Sequence, residues 1–390
     1  MPNETLFEIV RANVRVPKKV IGDLHAQMAA NRVAATRLRE FLREYGMPTL
    51  DPLADLIQDR CEQAMRGAIA ALPDGEYSYT LRIDGLGQEY LLPVHVRVHG
   101  DEMDVDYSGA TPQVEVGGIN VVYNYTYGAT THALQSLLLP EIPMAEGCFR
   151  PVHVHAPEGS ILNARYPAAT MSRTNTGYYI DALISGALQD VIPERVMAGS
   201  GFLFHMRAYG QYDGGERFAA SMLLGGGMGA LMGLDGNSTC IFPSDAGNVS
   251  VEMFENRCPV VARCRELVAG SGGDGQWRGG LGQRVIFEVD SRFMGTVKLS
   301  FSSRNLICPP NTLKGGGDGR QAAIFHNGHV LPATDEVILR GSVSFRAGET
   351  VGFETAGGGG YGPASVRAPH VKQRDSEFGY VAEDPVGLRS

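Results

Sequence analysis

Residues 356–363 read AGGGGYGP, and how these four consecutive glycines are read decides the fold. A phosphate-binding loop requires a strand, then glycines, then a helix whose N-terminus faces the anion. The surrounding stretch FETAGGGGYGPASVRAPH (353–370) has the strand, but Pro363, Pro369 and a polar segment follow it without a helical pattern. No glycine cluster in the chain is followed by Gly-Lys-Ser or Gly-Lys-Thr. KGGGDG (314–319) and SGGDGQWRGGLG (271–282) likewise lie between β-like segments. The glycines therefore read as positions of positive φ or of close backbone approach in a β-rich region, some of them lining a cleft. Gly226 and Gly227, in LGGGMGA (224–230), are expected beside the substrate.

Around this stretch the alternation is of period two. FLFHMRAYGQYDG (202–214) and ERFAASMLLGGG (216–227) form a hairpin joined at Asp213-Gly214-Gly215. PVVARCRELV, QRVIFEV, GTVKLSFSS, AAIFHNGHVLP and DEVILRG continue as short strands. Upstream, EYSYTLRID, EYLLPVHVRVHG and EMDVDYSG make an antiparallel meander, and CFRPVHVHAP (148–157) a further strand. NYTYGATTHALQSLLLP (124–140) and TGYYIDALISGALQDVIP (176–193) read as buried helices. The first 73 residues are helical, with Asn3 as a cap, a start at Pro17, a stop at Gly46 and a second start at Asp51-Pro52. The fold class is α+β: an N-terminal helical hairpin, a mixed α/β middle and an antiparallel β-rich C-terminal half. The expected divisions are 1–75, 76–200, 201–366 and a disordered tail, 367–390.

The chain has 390 residues, a net charge of −9, 43% hydrophobic residues and 50 glycines without a fixed period. That acidity argues against a nucleic-acid or anionic-membrane partner. Six cysteines form no Cys-x-x-Cys pair, which argues against structural zinc and for a reducing cytoplasm. No signal-peptide core and no apolar run of about 18 residues is present.

Several stretches, taken together and in order, resemble the hydantoinase B/oxoprolinase family. They are VIGDLHAQMAANRVAATRLREFLREYG (20–46), DYSGATPQVEVGGIN (106–120), PEIPMAEGCFRPVHVHAPEGSILNARYPAAT (140–170), LGGGMGA, GDGQWRGGLG (273–282) and ETAGGGGYG (354–362). The family includes subunits of ATP-dependent hydantoinases, 5-oxoprolinases and acetone and acetophenone carboxylases. The resemblance implies a B-type subunit that acts on a small molecule activated by a hydantoinase A-type ATPase partner. ATP and Mg would sit on that partner. The reaction would be hydrolysis of a cyclic amide, with ketone carboxylation as the alternative chemistry and a non-catalytic scaffold as the third reading. The family's metal ligands, a His-x-x-Asp pattern in a front portion, have no counterpart here. Zn or Mn is accordingly expected on a chain carrying that portion or on the partner, and none on this chain alone.

Within the chain, Asn248, Glu252 and Glu255 in GNVSVEMFE (247–255) match a family Asn-x-x-x-Glu-x-x-Glu pattern. Glu252 with Asn248 is the candidate for orienting water or holding an amide. Thr174 or Asn175 in SRTNTGYYIDAL (172–183) is a helix cap, and Asn175 with Asp181 a second catalytic candidate. Arg278 is the candidate for pairing with a phosphate. His153 and His155 share a strand face as a metal pair, weighed against ordinary hydrogen-bonded strand residues. Cys148 reads as a buried small hydrophobe and Trp277 as a loop anchor.

Overall fold

A computed structural model describes residues 3–212, 214–244, 246–302 and 304–381. The chain divides into two compact units, 1–61 and 62–390, with the break inside a helix. The middle and β-rich regions belong to one unit.

The first unit consists of α1 (Glu4–Asn13), α2 (Pro17–Glu44) and the start of α3 (Asp51–Ala70). The Asn3 side chain accepts from the Leu6 N–H, Pro17 occupies the first turn of α2, and Gly46 follows it at φ +64°. α1 returns onto α2, with Phe7 stacked on His25 at 5.0 Å. α2 buries none of its residues, and Leu6, Ile9, Val33 and Leu38 are exposed. The apolar stripe is helical, as its spacing requires, but remains open to solvent.

The second unit opens with the meander β1 (Gly75–Gly85), β2 (Gln88–His99) and β3 (Glu102–Asp106), and β4 (Val152–His155) joins β3 in parallel. α4 (Tyr123–Leu138), α5 (Thr174–Gly177) and α6 (Tyr179–Leu188) follow, and α6 lies on β1 and β2. Leu92, Val94, Val96 and Val98 alternate inward along β2.

The remaining elements are β5 (Phe204–Gln211), β6 (Arg217–Leu224), α7 (Val251–Glu255), β7 (Val260–Leu267), β8 (Gln283–Val289), β9 (Val297–Ser302), β10 (Ala323–His326), β11 (His329–Val330), α8 (Glu336–Arg340), β12 (Ser342–Phe345), β13 (Thr350–Glu354) and α9 (Pro369–Glu377). They give two antiparallel sheets, ordered β11-β10-β13-β8-β7 and β12-β9-β5-β6. One core joins them, with Phe204, Met206, Phe287, Leu299, Phe345 and Phe353 fully buried. Each such side chain contributes about 1.5–3 kcal/mol relative to exposure.

Two expectations are corrected. DEVILRG is a helix, not a strand: Asp335 accepts from the Val337 N–H at 2.8 Å and Gly341 ends the turn at φ +57°. Short range, cap and stop outweigh the β-branched composition. The tail contains α9, because Arg367 and Asp375 are buried together and bonded at 2.6 Å; residues 382–390 lie outside the described residues. Of the turn joining β5 and β6, Asp213 lies outside the described residues.

The stretch AGGGGYGP is the axis of a bundle of extended backbones. Gly357 donates to the Arg320 carbonyl, Gly358 to Gly280, Gly359 to Gly199, Gly360 to Gly317 and Tyr361 to Trp277, at 2.7–3.1 Å. The direction therefore repeats every third residue: 357 and 360 bond one neighbouring segment, 358 and 361 another. That is the three-residue turn of a polyproline-II-type helix, whose backbone bonds point sideways. At Gly358 an added Cβ would lie 2.0 Å from the Met228 carbonyl oxygen, and at Gly360 2.0 Å from that of Asp274. None of residues 357–360 has positive φ. Close approach, not left-handed conformation, is why they are glycines. The bundle satisfies a buried backbone without a sheet.

Candidate functional site

A cavity of about 330 Å³ opens where the first hairpin's turn meets the outer face of the β12-β9-β5-β6 sheet. Strand alternation builds that face. Phe204, Met206 and Ala208 turn inward from β5, which leaves His205, Arg207 and Tyr209 outward; β9 likewise leaves Lys298, Ser300 and Ser302 outward. The register sets Arg207 opposite Ser300 and His205 opposite Ser302. Arg207, Ser300 and Ser302 line the cavity, and Asp84, Ser172 and Asn175 line its other wall.

Asp84 is 5% exposed, and its carboxylate accepts from the N–H groups of Leu306 (2.9 Å), Ile307 (3.3 Å) and Cys308 (3.4 Å). Burial pushes its pKa up, and the amide bonds pull it back only in part. Asp84 thereby ties the end of β1 to the 306–308 loop. Behind Asn175 lies Arg304, 1% exposed, with its guanidinium over the Tyr178 and Phe202 rings. Burial pushes its pKa down. Its Nε–H donates to Asn175 Oδ1 and its Nη2–H to Thr174 Oγ1, both at 3.1 Å, while Nη1 has no hydrogen-bond partner among the described residues. Neither Thr174 nor Asn175 caps its helix, because each side chain is taken by this buried cation. With Oδ1 taken by Arg304, the Nδ2 donors of Asn175, a residue that lines the cavity, are left for another partner.

The other sequence candidates lie elsewhere. Asp181 is in the first turn of α6, and burial pushes its carboxyl up to about 7; His132 Nδ1 is 4.0 Å away. It does not line the cavity. Glu252 is exposed on α7, which Ser250 caps. Asn248 reaches the Thr239 carbonyl at 3.4 Å and Arg265 at 3.5 Å, and Glu255 accepts from the Ala262 N–H at 2.8 Å. None of these three lines the cavity.

Gly226 and Gly227 occupy close-packed positions. A Cβ on either would lie 1.9 Å from a carbonyl oxygen, of Gly201 and Gly280 respectively. Arg278 is likewise buried: its backbone N–H donates to Asp235 at 2.7 Å, its Nε lies 3.8 Å from Asp375, and its guanidinium sits over Tyr380 at 5.0 Å. Trp277 packs on Tyr361 at 5.7 Å, as a loop anchor does. His153 bonds Glu102 at 3.1 Å. Among the described residues no three His, Cys, Asp or Glu side chains are placed together to hold a metal.

Sequence reasoning missed Arg207, Asp84 and Arg304. Period-two alternation does mark Arg207 as outward, but nothing local distinguishes an outward arginine in a cleft from one in solvent.

A glycine-bundle β-sandwich of this kind, fronted by a helix-backed meander and a polar cleft, defines a class of β-rich protein rather than an ATP-binding domain of the phosphate-loop type. The chain belongs to the hydantoinase B/oxoprolinase family, whose model matches residues 1–364. It is 29% identical over 403 residues to a protein of Pseudomonas sp. (strain NS671) that bears the provisional name of a D-/L-hydantoinase B component, covering 98% of this chain and 66% of that one. It is 27% identical to the beta component of the caprolactamase of Pseudomonas jessenii, covering 99% of this chain and 68% of the relative. The chain thus spans about two thirds of the length of these relatives. Against the 5-oxoprolinase of Saccharomyces cerevisiae, also 27% identical, it spans 27% of the relative's length. The crystal structure of ATP-dependent caprolactamase from Pseudomonas jessenii superposes with a TM-score of 0.83 at 24% identity, over all of this chain and 71% of that one. Nucleotide-free acetone carboxylase gives 0.84 at 16% identity, over 98% of this chain and 58% of that one. These two likenesses concern the fold. Among the described residues no helix is long and apolar enough to cross a membrane.

Proposed function

We propose that the chain is the B-type component of an ATP-dependent cyclic amide hydrolase, acting on a lactam or cyclic imide activated by an A-type ATPase partner. The observation that carries this reading is the donor-lined cleft at Asn175, in a family whose similar members include a hydantoinase-type component and a caprolactamase component. ATP and Mg belong to the partner.

Asn175, fixed by Arg304, donates to an acceptor oxygen of the activated amide. Phosphorylation of the carbonyl oxygen makes the carbonyl carbon the better electrophile; water adds there, the ring C–N bond breaks with the nitrogen taking a proton, and a second water releases the phosphoryl group from the carboxyl as inorganic phosphate. Asp181 lies in the first turn of α6, just beyond Asn175, and acts on the site through that helix. The exposed apolar side chains of α1 and α2 supply surface for subunit assembly.

The test is the complex purified with its co-purifying chains and assayed for ATP-dependent ring opening of hydantoin, 5-oxoproline and caprolactam. Bicarbonate-dependent carboxylation of acetone and acetophenone is assayed in parallel. Ring opening coupled to ADP release is expected. Carboxylation without ring opening, or neither activity in a complex containing the ATPase, overturns the reading.

A further inference from the structure

Among the described residues Arg207 is a cation without a counter-ion. Among the described residues its guanidinium makes one side-chain hydrogen bond, from Nη2 to His205 Nδ1 at 2.9 Å, and no ion pair. His205 Nε2 meets Ser221 Oγ at 2.8 Å. Burial, together with Arg207 and Arg304, holds the imidazole pKa below its ordinary value. The neutral ring therefore accepts at Nδ1 from Arg207 and donates at Nε2 to Ser221. It serves to hold the guanidinium, and leaves most of that group's donors uncommitted at the cleft.

Other polar side chains of the lining add hydroxyl and amide groups beside the apolar ones. Ser300 and Ser302 lie on the neighbouring strand, opposite Arg207 and His205, and Asn175, on the facing wall, has its amide donors left for another partner. The acids nearby are spent. Both oxygens of Asp84 accept backbone amides, and Glu336 pairs with Arg340. A guanidinium, an amide and two hydroxyls around a cavity of about 330 Å³ match an anion with several acceptor oxygens.

We propose that this cleft is a phosphoryl-binding subsite in which Arg207 is the cationic contact and His205 the residue that positions it. The proposal rests on the reading above in one respect: the phosphoryl group is that of the activated amide.

Inorganic phosphate is titrated calorimetrically into the chain at low ionic strength. Saturable binding is expected, stronger than that of acetate. Arg207→Gln should weaken it about tenfold or more, as loss of a charge-assisted contact does. Arg217→Gln, on the same sheet but outside the cleft, should leave it unchanged. His205→Leu should weaken binding and His205→Gln, which keeps an acceptor, should restore it. Absence of saturable binding, wild-type affinity in Arg207→Gln, or tighter binding of acetate overturns the subsite. If Arg207→Gln fails to fold, wild-type chain is treated with phenylglyoxal: phosphate protecting Arg207 supports the subsite and no protection overturns it. Ring opening by the complex separates the two ideas. Phosphate binding without ring opening removes the function and keeps the subsite; ring opening in a complex whose Arg207→Gln chain binds phosphate normally removes the subsite alone.

Discussion

Gly358→Ala isolates the steric requirement of the glycine bundle. Gly358 has no positive φ, so alanine meets no conformational penalty there. Its Cβ, however, would sit 2.0 Å from the Met228 carbonyl oxygen and 2.4 Å from the carbon. Ordinary contact needs about 1 Å or more of additional separation. Met228 cannot yield freely, because its N–H donates to Asn237 and its carbonyl accepts from Gly280, both at 2.8 Å. Moving Gly358 instead strains its own bond to Gly280 (2.9 Å) and the one it accepts from Gly273 (2.8 Å). Overpacking typically costs about 1–3 kcal/mol, and each lost buried hydrogen bond about 0.5–1.5 kcal/mol more. Together these come to about 2–6 kcal/mol, on the order of 5 °C in Tm for a unit of this size. Denaturant and thermal unfolding measure it, beside Gly67→Ala as control. Gly67 is exposed in α3 with nothing within 4 Å of the added methyl, so that change should stabilise by about 0.5–1 kcal/mol. A Gly358→Ala chain within about 0.5 kcal/mol of wild type would refute the bundle as a close-packed element.

Three further outcomes are expected. Arg367→Met strips the partner from Asp235 (2.7 and 2.8 Å) and Asp375 (2.6 Å); it should cost about 3–5 kcal/mol by equilibrium unfolding, and a loss under about 1 kcal/mol contradicts the tail's anchoring role. Burial raises the folded pKa of Asp181 to about 7, so the native state binds the extra proton between the unfolded value near 3.8 and 7. This group's contribution is fully present below the unfolded pKa and is lost as pH rises through the window, so Asp181→Asn should flatten that decline; an unaltered pH profile of stability excludes the buried acid. Glu252→Gln changes an exposed side chain outside the cleft, and should leave ring-opening turnover unchanged and stability within about 0.5 kcal/mol; a large loss of turnover at unchanged Tm would return Glu252 to the site.

The sequence by itself determined the period of each element and where most of them stop. Asn3, Pro17 and Gly46 bound their helices, and the alternation of β5, β8 and β9 states which side chains form the core. These are local matters, settled by side-chain spacing and by a few capping bonds. The short helix at Glu336–Arg340 went unread because a single turn offers no period, only the cap at Asp335 and the stop at Gly341. The tail went unread because its order depends on Asp235, more than a hundred residues earlier in the chain. The candidate site was legible only at Asn175. What that residue does was decided by Arg304, 129 positions away, which takes its Oδ1 and leaves its amide donors for another partner. Arg207 and Ser300 become neighbours through strand register, and backbone and carboxylate from distant segments pack against Gly226, Gly227 and Arg278. Spacing along a chain specifies which face a residue occupies; what stands opposite that face is fixed only when the sheets and the glycine bundle pack.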